Sequence, residues 1–373
     1  HKGKYEDSLL LISCLADILY RYNQDYTDRR LEMQLERVRD GLKREDGNWN
    51  EKRAGRKAIL FYDGFGLDRR GLALIYLKAL TISGYEVIYV VREKKKENIP
   101  TILALLEESN AKVIYVPDSS LIGEFRYLSD IFRAEAPEAG FLYTTPDDVS
   151  GIMAFSDCKD IFVRYQINLT DHAFWLGVHA FDYCIEFRDY GASISHYYRE
   201  IPKERIFKQP FYPFIDQEKE FEGFPFEKGE KDFILFSGGS LYKTIDRKEN
   251  IYYKLVDFCL REFDFVKFWY AGSGDDTELV KLREKYPGRI FHTGERNDLY
   301  QILQHIDLYL NTYPMVGGLM MQYSAEAGKL PLTLRHGEDG SGLLINQGEL
   351  GIEFESPESI KEELRRIIGD RDY

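Results

Sequence analysis

A chain of 373 residues exceeds what one hydrophobic core ordinarily supports and sets an expectation of about two domains. Hydrophobic residues at 44%, charged residues at 30% and only 12 prolines describe a folded chain and exclude a disordered one. A formal net charge of −13 excludes a general nucleic-acid-binding role, which needs a basic field against phosphate.

The 27 Tyr and 24 Phe could stack on sugars or bases, but read first as core. Cys14, Cys158, Cys184 and Cys259 lie far apart with no CxxC pair, so neither a zinc site nor a disulfide framework is expected. No apolar run reaches the length that crosses a bilayer, and the first residues lack the basic-then-apolar order of a signal peptide. The expectation is therefore a cytoplasmic protein. Cations are densest from Arg29 to Lys57, but Asp28, Glu32, Glu36, Asp40, Glu45, Asp46 and Glu51 interleave with them. That stretch reads as a solvated helix face, with peripheral association at the inner face of the membrane as the lesser reading.

In chain order, Leu9, Leu10, Ile12, Leu15, Ile18 and Leu19 recur at helical spacing, so residues 1–56 form a helical preface ending in a polar linker, Arg44 to Arg56. Lys57 to Asp63 is a buried-strand pattern that runs into Gly64-Phe-Gly66 and a helix over Leu72 to Leu80. Further strands are expected at 86–91, 111–116, 139–143, 161–165 and 181–185, with a helix around 102–108. Strand and helix alternate, which implies a parallel sheet whose ligands bind beyond the carboxyl ends of the strands. The first block spans 57–215, and an irregular Pro- and Phe-rich stretch, 209–231, connects it to a second block over 216–373. There the expected strands are 232–236, 265–270, 289–292, 307–310 and 330–334, and the helices 247–262, 276–286, 298–305 and 319–328.

Three small-residue turns follow successive strands of the second block. Ser237-Gly238-Gly239-Ser240 precedes Lys243, where amides and a cation could meet a diphosphate. Ala271-Gly272-Ser-Gly274 and Thr293-Gly294-Glu-Arg296 end the next two strands, and in a doubly wound sheet all three line one crevice. A fourth segment, Asn311 to Gly328, sets Gly317 and Gly318 just before a helix, where its unpaired amides and positive end suit phosphate.

In their order, the segments around Lys243, Tyr270–Gly274, Arg289–Leu299 and Asp307–Leu332 resemble the donor domain of O-GlcNAc-transferase-like glycosyltransferases and of bacterial cytoplasmic N-glycosyltransferases. The resemblance spans 57–345 by motif order. It implies a GT-B fold: two Rossmann-like doubly wound domains facing a cleft. It implies that Lys243 holds the donor diphosphate, that Gly294 and Arg296 lie against the uracil, and that Gly317 and Gly318 receive the phosphates. The ribose-binding acid of those families is replaced here by Tyr323, which leaves Gln322 or Glu326 for that contact. Threonines near the diphosphate are replaced by Leu319 and Met320, so the donor need not be UDP-GlcNAc.

Phe61 to Arg70 resembles the first-strand loop of the same families, with Asp68 nearest the position of their acceptor-side histidine, and Asn168 to His172 resembles a later stretch of the same domain. Asp68, His172 and Asp63 are the candidate bases; strand-end carboxylates are as often caps. No acidic pair is placed for a metal, so Lys243, Arg296 and the helix start at Gly317 would meet the leaving charge. No cofactor is expected, the nucleotide-sugar being a substrate, and a protein, a glycan and a lipid-linked sugar all fit as the acceptor. The competing readings are a sugar-nucleotide epimerase and a catalytically silent GT-B subunit that binds a partner transferase. A nicotinamide reductase is disfavoured, because Gly64-Phe-Gly66 lacks the GxxG continuation.

Overall fold

The computed structural model describes residues 2–22, 25–42, 56–68, 71–210, 212–213, 215, 219–246, 249–336, 342–344 and 347–370. Nearly all of the linker expected at 44–56, Arg69 and Arg70 of the first-strand loop, parts of the 209–231 connection, and Arg247 and Lys248 lie outside the described residues. The chain divides into two compact units, His1–Phe211 and Tyr212–Tyr373.

The first unit begins with helices α1 (Lys2–Tyr22) and α2 (Arg29–Leu42). Its sheet contains β1 (Ala58–Asp63), β2 (Glu86–Arg92), β3 (Lys112–Val116), β4 (Ala139–Tyr143), β5 (Val163–Ile167), β6 (Tyr183–Glu186) and β7 (Ile206–Lys208). All pair in parallel, in the order β3-β2-β1-β4-β5-β6-β7. Every residue of β1 is buried, as a central parallel strand covered on both faces requires. The crossovers are α3 (Ala73–Thr81), α4 (Pro100–Glu108), α5 (Leu121–Glu135), α6 (Val149–Ser156) and α7 (Asp189–Tyr197).

Six aromatic residues form one ladder across this sheet. Tyr89, Phe61, Phe141, Tyr165, Tyr183 and Phe207, one from each of six strands, stack or tilt against their neighbours at 5.2–6.4 Å between ring centres. Parallel register sets Phe61 level with both Tyr89 and Phe141, and Tyr165 level with Phe141 and Tyr183, so the rings meet as cross-strand pairs.

The helical preface is part of the first unit's core. Leu9, Ile12 and Ala16 of α1 and Leu31, Leu35, Val38 and Leu42 of α2 are buried in one cluster with Phe125, Leu128, Met153 and Phe155. Polar contacts fix the seam: the Glu6 carboxylate accepts from the Leu121 and Ile122 amides at the start of α5, at 2.6 and 3.1 Å. The buried Glu32 carboxylate of α2 accepts from Gly177 N at 2.8 Å.

The second unit repeats the plan with β8 (Phe233–Gly238), β9 (Val266–Ala271), β10 (Ile290–Thr293), β11 (Leu308–Leu310), β12 (Pro331–Leu334) and β13 (Glu353–Phe354). Their order, β10-β9-β8-β11-β12-β13, is again wholly parallel and reverses direction between β8 and β11. The helices are α8 (Ile251–Glu262), α9 (Thr277–Lys285), α10 (Leu299–His305), α11 (Gly318–Glu326) and α12 (Pro357–Gly369). The two α/β blocks expected from alternation are both present, in a GT-B architecture.

Four helices, α5, α6, α7 and α12, escaped the sequence reading. For α6 the reason is physical: Val149 to Phe155 are all buried, so no polar face marks a period. For α12 the signal was present, in the Ser356 capping box and in Ile360, Leu364 and Ile368 on one face. Among the described residues no helix is long and apolar enough to cross a membrane.

Leu9→Ala, which leaves a cavity where α1 meets the first unit, is expected to lower the unfolding free energy by about 2–5 kcal/mol. A shift of the urea midpoint checks it; an unchanged midpoint would show that α1 packs as an appendage rather than as core.

Candidate functional site

The loops after β8, β9, β10 and β11 are hydrogen-bonded into a single surface. Gly239 N donates to Ala271 O at 2.9 Å, Leu241 N to Ser273 O at 2.9 Å, Gly272 N to Thr293 O at 3.1 Å and Met315 N to Lys243 O at 3.2 Å. Ser237, buried at the end of β8, donates its hydroxyl to Leu310 O of β11 at 2.6 Å, across the point where the strand order turns. Glycine is required twice: Gly239 has φ +119°, and a side chain on Gly272 would overlap the Gly239 carbonyl oxygen. The structure thus brings Ser237, Gly238, Gly239, Lys243, Gly272 and Gly294 to one end of one sheet.

The fourth loop delivers a helix start to the same place. Asn311, just past β11, accepts on Oδ1 from the amides of Thr312 and Gly317, both at 2.9 Å, and so folds residues 311–317 back on themselves. Helix α11 starts at Gly318, and its first internal bond runs from Met321 N to Gly317 O, so the amides of Gly318, Leu319 and Met320 head the helix. The Lys243 ammonium lies 3.4 Å from Val316 O, beside that helix start. Fixed amides, a helix end and an ammonium make a surface suited to an anion of two or more charges.

Other positions are engaged differently. Arg296 is locked by Asp298 in a two-pronged pair, 2.7 Å at each nitrogen, and its guanidinium lies over Trp269 at 5.5 Å. The Asp298 bond, then the charge itself, raises the Arg296 pKa. Gln322 is buried and donates its amide to Leu343 O at 3.1 Å, while Tyr323 packs against the aromatic cluster that includes Phe236 and Trp269. Glu326 is exposed in the last turn of α11. Among the described residues no group of three or more His, Cys, Asp or Glu is placed to hold a metal ion.

In the first unit, Asp63 ends β1 fully buried. Its Oδ1 accepts from the amides of Phe65 and Gly66 at 3.0 and 2.8 Å, and its Oδ2 from the Tyr89 hydroxyl at 2.7 Å. Burial outweighs these bonds and pushes its pKa up to about 6. Asp68 accepts from Ile102 N at 2.9 Å, which ties the first-strand loop to α4. His172 sits in the loop after β5, its side chain 41% exposed, with Nδ1 3.4 Å from Asp171 Oδ1.

Beneath His172 lies a buried polar network that the sequence reading did not single out. Arg188 grips Asp171 with Nε at 2.5 Å and Nη2 at 2.9 Å. Arg199 stacks on Trp175 at 4.7 Å and donates to Ala173 O at 2.7 Å. Glu186 accepts from Asn168 Nδ2 at 2.9 Å and from the Ser195 hydroxyl. Burial alone would raise the Asp171 carboxyl, but hydrogen bonds from His172 and Arg188 hold it below its ordinary value. For Glu186 burial prevails over Arg199 and the pKa is raised. The signal was available: Glu186 and Arg188 flank Phe187 at the end of a strand pattern, and charges there need partners.

No protein-family model matches the sequence, and no curated protein sequence matches it. Solved structures do. A mutant of Thermobaculum terrenum O-GlcNAc transferase superposes with a TM-score of 0.61 at 15% identity, covering 96% of this chain and 69% of that one. HepE of Anabaena in complex with UDP-glucose gives 0.58 at 12% identity, covering 84% and 90%. UDP-GlcNAc 2-epimerase of Neisseria meningitidis, bound to UDP-GlcNAc, gives 0.55 at 11% identity, covering 85% and 92%. At these identities the likeness is one of fold, and it is the GT-B fold, shared by glycosyltransferases and sugar-nucleotide epimerases.

The raised Asp63 pKa has a definite sign. Between the unfolded value near pH 4 and the folded value of about 6, the unfolded chain has already released a proton that the native state keeps, so stability from this group is full at low pH and lost as pH rises through 6. The unfolding free energy of the wild type, less that of Asp63→Asn, should therefore fall between pH 4 and pH 7 by on the order of 2 kcal/mol. Parallel urea titrations of the two proteins read it; a difference flat with pH would remove the protonated Asp63.

Proposed function

We propose that the chain is a glycosyltransferase that moves a sugar from a nucleotide donor, UDP-linked, onto a protein or glycan acceptor without needing a bound metal ion. The observation that carries this reading is the cradle of the second unit, where four successive strand-end loops are tied by backbone bonds around the start of α11. Support also comes from the fold, since HepE and the Neisseria epimerase carry it with UDP-sugars bound. As the bond from the anomeric carbon to the diphosphate breaks, its electron pair leaves with UDP. Lys243 and the head of α11 are fixed in advance of that charge, the arrangement that lowers a barrier without reorganisation.

The acceptor must lose a proton as its nucleophile bonds to the anomeric carbon. We assign that proton to His172, which is accessible and has Asp171 at one ring nitrogen, leaving Nε2 for the acceptor. Asp68 is the alternative, while Asp63 has both oxygens committed to the turn and to Tyr89. In the donor, Gly294 and the backbone around Arg296 lie against the base; Glu326, Gln322 and Tyr323 are the candidates for the ribose. A second reading, a sugar-nucleotide epimerase, is favoured by the epimerase among the structures of this fold. A silent subunit of a transferase complex would keep the cradle and lose the chemistry. Localisation at the inner face of the membrane and a lipid-linked acceptor remain part of the proposal.

Three assays separate these readings. UDP should raise the melting temperature; a transferase then releases UDP from a UDP-sugar, an epimerase interconverts the sugar without release, and a silent subunit does neither. Lys243→Ala should weaken UDP binding by about tenfold or more, the loss of one charge-assisted contact. His172→Ala should lower turnover by about 10²–10⁴-fold with UDP binding retained. Wild-type affinity in the first variant removes Lys243 from the site, and an unchanged rate in the second passes the base to Asp68.

A further inference from the structure

Helix α1 is apolar on two opposite sides. Leu9, Ile12 and Ala16 are buried in the first unit, whereas Leu10, Leu11, Leu15, Ile18 and Tyr22 are 48–83% exposed. At 3.6 residues per turn, Leu11 and Ile18 fall on one outward stripe together with Asp7, Cys14 and Arg21, which repeat every seven residues. Sustained over three turns, such a stripe is a seam for another helix rather than scattered surface apolarity.

We propose that this stripe is the interface between two copies of the chain, their α1 helices packed antiparallel about a twofold axis that passes beside Cys14. A twofold contact must be self-complementary, and the charges on the stripe choose its direction. Asp7 and Arg21 lie at equal distances on either side of Cys14. Antiparallel packing sets Asp7 of each copy against Arg21 of the other, and Leu10 and Leu11 against Ile18. Parallel packing would oppose Asp7 to Asp7 and Arg21 to Arg21, a repulsion at both ends. Arg21 already holds Asp17 of its own helix at 2.8 Å and would bridge two carboxylates, one from each copy. The exposed Asp7 and the half-buried Asp17 count against an anionic bilayer as the occupant.

The twofold axis makes the test chemical as well as hydrodynamic. Cys14 is exposed, while Cys158, Cys184 and Cys259 are buried, so mild oxidation with diamide should join two chains through Cys14 alone and Cys14→Ser should abolish the product. Sedimentation of the reduced protein should show a reversible dimer by on the order of 100 µM, the range of small interfaces. Leu11→Glu with Ile18→Glu should raise its dissociation constant by about 100-fold or more, with the circular dichroism and melting temperature of the monomer kept. Asp7→Arg should weaken the dimer, and Asp7→Arg with Arg21→Asp should restore it. A monomer at every concentration overturns the proposal, as does a dimer indifferent to the Leu11 and Ile18 changes, a dimer that does not cross-link through Cys14, or binding of the stripe to phosphatidylserine vesicles without self-association.

Discussion

The reversal of strand order between β8 and β11 is the constraint on which the second unit turns. Parallel strands deliver every following loop to the same end of the sheet, and where neighbouring strands send their chains to opposite sides a crevice opens between them. The Ser237 to Leu310 hydrogen bond closes the floor of that crevice at 2.6 Å, and the loops after β9 and β10 are drawn over it by amide-to-carbonyl bonds. Close backbone approach at Gly272, where a side chain would strike the Gly239 carbonyl oxygen, lets separate segments act as one surface.

The first unit has the same reversal, between β1 and β4, and fills it differently. Asp148 there is buried and accepts from the Tyr62 hydroxyl at 2.8 Å, while Arg92 reaches it at 2.6 Å and also pairs with Glu124. Burial would raise Asp148; Arg92 and the bonds from Thr144 and Gly151 bring it below its ordinary value. A crevice filled by its own ion pairs has little to offer a charged ligand, whereas a helix head presents amides to one. The helix head at the first reversal is capped by the Asp148 side chain, whereas the head of α11 carries no side-chain cap.

Around His172 the buried charges work on position. An Arg188–Asp171 pair taken out of water gains little net stability, but removing either partner strands the other charge at a cost of about 3–5 kcal/mol. The loop after β5 is therefore held in one conformation by a penalty on all others. Asp171 and Glu186 differ in their response to the same burial: His172 and Arg188 both hydrogen-bond to the first and lower it, whereas the charge of Arg199 and the bonds from Ser195 and Asn168 do not offset the burial of the second.

By itself the sequence determined the alternation of strands and helices, because a strand buried on both faces must be a short apolar run and its crossover helix must follow. It also placed the glycine turns at strand ends and the helix start at Gly317, since those depend on neighbours in the chain. Elements whose pattern is cancelled by burial, such as α6, or too short to hold one, such as β7 and β13, were silent. Only the tertiary structure decided which turns share hydrogen bonds, that Asp63 serves the turn after β1 and Tyr89, that Arg296 is held by Asp298 over Trp269, and that the preface helices belong to a core. Each of these is a contact between residues distant in sequence or a competition for one partner, and neither has a period that a linear pattern could carry.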